Sequence, residues 1–154
     1  MTALTLPNLT LADDYTHPLL GTLPGQYSYA VLGEPGGLTQ FGVHIEVLHP
    51  GARSSFRHWH EAEDEMIYMI SGELVLIEDH ETMLRRGDVA CWAKGAGPAH
   101  CLENRSTEDA TYLIIGTRNR VDVIHYPDHD LIAHKDGTER RWTYSDGSPR
   151  ETGG

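Results

Sequence analysis

"HPGARSSFRHWHEAEDEMIYMISGEL", residues 49–74, decides how the chain is read. A Pro-Gly turn leads to two histidines one residue apart, then an acidic turn, then an apolar run closed by Ser71-Gly72. In an extended chain, residues two apart point to the same face, so the imidazoles of His58 and His60 emerge on one side, about 7 Å apart. Glu65 opens the apolar run, and a short turn through 61–64 returns its carboxylate over that face. His100 opens a later strand, after the tight loop "KGAGP" at 94–98. Three neutral ring nitrogens and one carboxylate oxygen form a donor set suited to Zn, Fe(II), Mn or Ni. His58, His60, Glu65 and His100 are therefore the expected ligands of one divalent metal ion.

Around this stretch the chain reads as β-structure. "FGVHIEVLH" (41–49) alternates, with Phe41, Val43, Ile45 and Val47 on the more apolar face. That parity predicts those four toward the core and His44 outward or at an interface. Further apolar runs lie at 65–70, 73–79, 89–93, 99–104 and 110–117, punctuated by Gly-containing turns. Such spacing, without 3.6-residue periodicity, predicts an all-β sandwich or small barrel. Three parts follow: residues 1–38, an N-terminal arm and first strands packing on the barrel; 39–126, the barrel; and 127–154, a partly irregular extension with a loose end.

The 154 residues suffice for one domain with a real core. A formal charge of −11 repels phosphate backbones and anionic lipid, which disfavours nucleic-acid and membrane-surface roles. No apolar run approaches the roughly 18 residues of a membrane span. The first residues lack the pattern of a signal peptide, so the expected location is the cytoplasm. Two cysteines, Cys91 and Cys101, do not make a disulfide framework and are read as reduced thiols. Glu61, Glu63 and Asp64 read as a solvated turn. Arg53 and Arg57 read as surface charges or as groups meeting an anionic ligand. His125, His129 and His134 belong to the polar tail.

Two motifs resemble those of the cupin superfamily. The first reads Gly51, six residues, His58-Trp59-His60, four residues, Glu65, six residues, Gly72. The second opens at Gly87 and ends with His100, three residues and Asn104. It departs from the usual form in a loop two residues longer, with Ala93 at the usual proline position and Pro98 displaced. The resemblance spans about residues 40–117. It implies a double-stranded β-helix, often a homodimer, with metal on His58, His60, Glu65 and His100. Within the superfamily the chain looks like single-domain bacterial members loosely compared with sugar-phosphate isomerases.

A divalent ion on three imidazoles and one carboxylate carries a net charge of +1 and keeps open positions for a ligand. Phe56, Ile67, Met69 and Leu102 share the ligands' parity and are expected to line the cavity. The expected partner is a small molecule, anionic or rich in oxygen. Three functions fit: a metal-dependent enzyme of isomerase, lyase or dioxygenase type; a non-catalytic binding or sensor module; and a structural metal in a dimeric protein. For the first, Glu65, Tyr68 or a metal-bound hydroxide is the base.

Overall fold

The computed structural model describes residues 3–12 and 15–151; residues 1–2 and 13–14 of the expected arm and 152–154 of the expected extension lie outside the described set. The described residues form fifteen strands. The arm carries β1 (Thr10–Ala12), β2 (Thr16–His17), β3 (Gly21–Thr22) and β4 (Tyr27–Val31). The central region carries β5 (Phe41–Leu48), β6 (Trp59–His60), β7 (Glu65–Ser71), β8 (Glu73–Ile77), β9 (Glu81–Arg85), β10 (Val89–Trp92), β11 (Cys101–Glu103) and β12 (Ala110–Thr117). The chain continues through β13 (Val121–Tyr126), β14 (Leu131–Asp136) and β15 (Glu139–Thr143). Among the described residues, no helix is long and apolar enough to cross a membrane.

The strands form a double-stranded β-helix. One wall is a six-stranded antiparallel sheet in the order β1-β4-β5-β12-β7-β10; a three-stranded sheet, β11-β8-β9, stands opposite. Ile67, Met69, Trp92, Ala110, Tyr112 and Leu48 from the first meet Leu74, Leu76, Leu84 and Leu102 from the second in one buried cluster. A further sheet, β15-β14-β13-β6, extends the barrel with strands from the tail. Beneath it, Leu23, Phe56, Tyr126, Leu131 and Ala133 build a second core. The extension holds a packed hairpin, β14-β15, while 144–151 lie outside the strands. Alternation survives in it: Leu131 and Ala133 are buried while their neighbours are less so.

Gly72 shows why the first motif ends in glycine. It turns β7 into β8 with φ +73°, and a Cβ there would sit 2.5 Å from the Asp109 carbonyl oxygen. Only a residue without a side chain fits so close an approach at positive φ.

The parity predicted for β5 is inverted. Cross-strand pairs share a face, and Glu46 pairs with Tyr112, which pairs with buried Met69; His44 pairs with Ile114, which pairs with buried Ile67. His44, Glu46 and Leu48 therefore face the interior, and Phe41, Val43, Ile45 and Val47 face the other way. The hydrophobic pattern misleads because this part of the interior is a polar site wall, while the outer face of the sheet is itself apolar. Tyr68, at the same outward parity, is 43% exposed, so it is not the base that the sequence allowed.

In the second core, His17 is buried among Phe56, Tyr126 and Trp142. Its Nδ1 accepts the backbone N–H groups of Leu19 and Leu20, so protonation there would break both bonds. Burial, helped by the charges of His129 and Arg150, lowers its pKa to about 4. Between about pH 6.5 and 4 the unfolded chain binds a proton at this position that the folded chain does not. Stability consequently falls as pH drops through that window. A pH series of thermal melts on metal-free protein should show the decline, with an NMR titration keeping His17 neutral at pH 5.

Candidate metal centre

Of the four residues picked out by spacing, His60 lies on β6 and Glu65 on β7, while His58 and His100 form a bridge just outside these strands. The fold gathers His58, Glu65 and His100 into one group of donors, and His60 stands beside them in a second group with Glu63 and Asp122. His58 and His100 are direct cross-strand partners, with both backbone hydrogen bonds made: His58 N–H to His100 O at 3.2 Å and His100 N–H to His58 O at 2.9 Å. Their ring centroids lie 5.3 Å apart, and His60 stands 5.1 Å from His58. The Glu65 carboxylate enters the same space: its Oε2 is 3.0 Å from His100 Nε2 and 3.7 Å from His60 Nε2. Donor atoms of His58, Glu65 and His100 all lie within 4.8 Å of one another.

Each imidazole is held by its other nitrogen. His58 Nδ1 is 2.8 Å from the Phe56 carbonyl oxygen, His60 Nδ1 is 2.5 Å from Asp122 Oδ2, and His100 Nδ1 faces the Pro98 carbonyl at 3.5 Å. An acceptor on Nδ1 favours the tautomer that carries its proton there, which for His58 and His60 leaves the Nε2 lone pair free. His100, whose Nδ1 contact is long, instead donates Nε2–H to Glu65 Oε2 at 3.0 Å. His100 is also stacked on Trp92, with centroids 3.7 Å apart and planes 9° from parallel. Trp92 in turn donates Nε1–H to Glu78 Oε1 at 2.7 Å, which fixes the indole and hence the ring above it.

Charge reinforces the arrangement. Burial drives the His58 pKa down to about 4, the neighbouring imidazoles adding to it against the opposing pull of Glu65 and the Phe56 carbonyl. Burial alone would raise the Glu65 carboxyl, but the His100 hydrogen bond and the three imidazoles outweigh it and bring it to about 2. Neutral His58 and ionised Glu65 are the forms that donate lone pairs.

Asp122 is the residue that spacing did not find. It sits buried on β13, one step from the Ile124–His60 pair, with Oδ1 accepting the Ala62 N–H at 2.9 Å. Its signal was a carboxylate inside an apolar strand, "RVDVIHY". Glu63 also comes within 3.8 Å of His60 Nδ1, but it is committed to Lys135 at 2.5 Å and to the Asn119 N–H. Glu63 is thus a half-buried pin rather than part of a solvated turn. Asp64 likewise accepts the Lys94 N–H, whereas Glu61 meets His125 at the surface.

Other expectations are redistributed. Ile67 and Leu102 line the inner chamber, a cavity of about 130 Å³ bounded also by Glu46, His58, Glu65 and His100. Phe56 lies instead in the second core, because the chain bends between it and β6, and Met69 packs in the main core. Arg57 is no ligand-greeting charge: it clips the extension by a two-pronged contact with Asp128 and by bonds to Asp79 and the Glu78 carbonyl. Asn104 binds the Leu48 and Glu108 carbonyls and closes a turn. Cys91 and Cys101 stand in different sheets and are free thiols.

Comparison with known proteins agrees with this architecture. The cupin domain family, Cupin_2, matches residues 44–116. A crystallised sugar phosphate isomerase of the cupin superfamily from Silicibacter pomeroyi is 39% identical, with a TM-score of 0.76 over 81% of this chain and 80% of that one. This chain is a member of the cupin superfamily. A candidate sugar phosphate isomerase from Acidithiobacillus ferrooxidans is 27% identical, with a TM-score of 0.77 over 82% and 81% of the two chains. A polyketide cyclase from Streptomyces resistomycificus shares the cupin fold at 15% identity and a TM-score of 0.59, over 76% of this chain and 79% of that one. A search of curated proteins found no match.

Replacing Asp122 by Asn removes a charged acceptor from His60 while keeping the shape. We expect a fold less stable by about 1–3 kcal/mol in denaturant unfolding, the range for weakening a buried charge-assisted bond. Nitrogen NMR of the His60 ring should show the Nδ1–H tautomer losing its dominance.

Proposed function

We propose that this cupin is a divalent-metal protein and a metal-dependent enzyme acting on a small, oxygen-rich molecule. The observation that carries the reading is the donor group of His58, Glu65 and His100, all within 4.8 Å of one another, with His60 Nε2 3.7 Å from the same carboxylate and every Nδ1 facing an acceptor. His58, His60, Glu65 and His100 would hold the ion, and Zn, Fe(II), Mn and Ni suit such donors. When bound, a divalent ion supplies Lewis acidity toward a carbonyl or hydroxyl oxygen and open positions for that oxygen. Around it, the chain contributes a narrow chamber that limits water, a stacked Trp92 that holds His100 in place, and an Asp122 carboxylate that orients His60. Isomerase chemistry is favoured over lyase or dioxygenase chemistry by the two neighbours named as sugar phosphate isomerases, one 39% identical.

The way in also supports an oxygen-rich ligand. A cleft of about 290 Å³ is lined by Gly42, His44, Glu46, Glu63, Glu65 and Arg118, among others. Gly42 and Gly116 are cross-strand partners, so β5 and β12 present no side chains on this rung, beside Glu65 on β7. The Arg118 guanidinium lies over Gly42, where a Cβ would come within 3.0 Å of its Nε. Arg118 pairs with Glu34 at 2.7 Å and Glu63 with Lys135, which leaves carboxylates and His44 to meet hydroxyl groups.

A homodimer suits the outer face of the six-stranded sheet. Val89, Tyr68, Leu113 and Ile45 form one outward cross-strand row, and Cys91, Met66, Ile115 and Val43 the next. Val89 is 50% exposed. Sedimentation should give a dimer, and the paired change Tyr68→Glu with Val89→Glu should give a monomer.

Metal analysis of protein purified without added metal tests the central reading. About one divalent ion per chain is expected, as one four-donor site requires. His60→Ala should lower the affinity by more than about tenfold in chelator competition; unchanged stoichiometry and affinity in that variant would refute it.

A further inference from the structure

Glu46 is a half-buried carboxyl of the inner chamber that the proposed ligand set leaves over. It faces inward from β5, and the hydroxyl of wholly buried Tyr112 donates to its Oε2 at 2.5 Å. That is its one hydrogen bond among the described residues, and no Lys or Arg there pairs with it. Glu46, Glu65 and Ile114 line both the inner chamber and the outer cleft. A molecule reaching from the cleft to the chamber therefore passes the Glu46 side chain.

The other polar groups of the chamber are occupied. His58, His100 and Glu65 belong to the proposed ligand set. Ser54 Oγ accepts the Leu102 N–H, and Ser55 Oγ stands 3.3 Å from His58 Nδ1. Burial raises the Cys101 thiol pKa, and burial holds the Tyr112 phenol well above its ordinary value, so neither gives up its proton near neutrality. Burial also pushes the Glu46 carboxyl up, with the Tyr112 bond opposing and the Glu65 charge adding to the rise. A carboxyl moved toward neutrality exchanges protons with substrate more readily than an ordinary surface glutamate.

We propose that Glu46, held by Tyr112, is a catalytic acid–base group for hydroxy-carbonyl compounds, taking a proton from the hydroxyl-bearing carbon and returning it to the neighbouring carbon. This rests on the metal-centre reading above, in which His58, His60, Glu65 and His100 would hold an ion that polarises the substrate carbonyl. In the first step the C–H bond breaks and an O–H bond forms on Glu46. The electron pair left on carbon forms a C=C bond as the carbonyl pair moves onto its oxygen. In the second step Glu46 delivers the proton to the former carbonyl carbon, while one hydroxyl proton shifts between the two oxygens. Aldehyde and ketone interchange, no atom is gained or lost, and no oxidant or further reactant is consumed. Tyr112 acts as a positioning residue, keeping one carboxylate oxygen occupied.

The test uses the full, metal-loaded chain in D2O with dihydroxyacetone phosphate, ribose 5-phosphate and fructose 6-phosphate, and follows exchange of the carbon-bound proton by NMR. The wild-type protein should exchange it in at least one of the three. Glu46→Gln should slow that exchange by about 10²–10⁴-fold, the usual worth of a positioned acid–base group. Its metal content and melting temperature should stay at wild-type values, and Glu46→Asp should recover part of the rate. Tyr112→Phe should move the pH profile of exchange, which a purely structural role would leave in place. Exchange in Glu46→Gln within threefold of wild type, or none by the wild type with any probe, overturns the assignment. The two readings separate cleanly: a wild-type chain that takes no metal sinks the metal centre, whereas full metal loading with undiminished exchange in Glu46→Gln sinks only the role of Glu46.

Discussion

The antiparallel pairing of His58 with His100 is the constraint on which the site depends. Two backbone hydrogen bonds fix these residues opposite one another, so their imidazoles lie side by side before any side-chain interaction is considered. His60 then follows from strand geometry, two residues along the same face. Glu65 follows from the register of β7, whose partner Gly116 presents no side chain, and the Glu65 Cγ lies 3.7 Å from where a Cβ of Gly116 would be. Each donor is placed by main chain, and the rotamers need only small help.

That help comes from outside the motifs. Trp92 stacks on His100, and Asp122, contributed by a strand beyond residues 44–116, accepts from His60. The extension is therefore part of the site. Arg57, bonded to Asp128 and to the Glu78 carbonyl, ties the same extension to the barrel. An acidic chain tolerates so many carboxylates here because each of the buried ones has a specific donor: Asp122 the Ala62 N–H and His60, Glu63 Lys135, Glu46 the Tyr112 hydroxyl.

Much of this was legible in the sequence. Period-2 runs with glycine turns pointed to the all-β fold, and of the four spaced residues His58, Glu65 and His100 form one donor group, with His60 beside them and its Nδ1 on Asp122. What could not be read has physical causes. Strand parity depends on which face is covered, and β5 carries apolar residues on both faces: Leu48 in the core, and Val43 and Ile45 on an outer face that is apolar in its own right. The alternation therefore gave the wrong side, and hid Glu46 and His44 as site-wall residues. Asp122 was missed because its partner lies 62 positions away, across a pairing that local pattern does not encode. Both carried the same overlooked mark, a carboxylate in the middle of a β-branched strand, where burial demands a partner.

The most direct measurement of the central claim is anomalous diffraction from crystals of the protein purified without added metal, collected at the absorption edge of whichever transition metal elemental analysis finds. The account predicts a single peak bounded by the Nε2 atoms of His58, His60 and His100 and by the Glu65 carboxylate, at bond distances of roughly 2.0–2.2 Å. A peak on the Nδ1 side of His60, or those four donors hydrogen-bonded to one another around metal-free density, would contradict it.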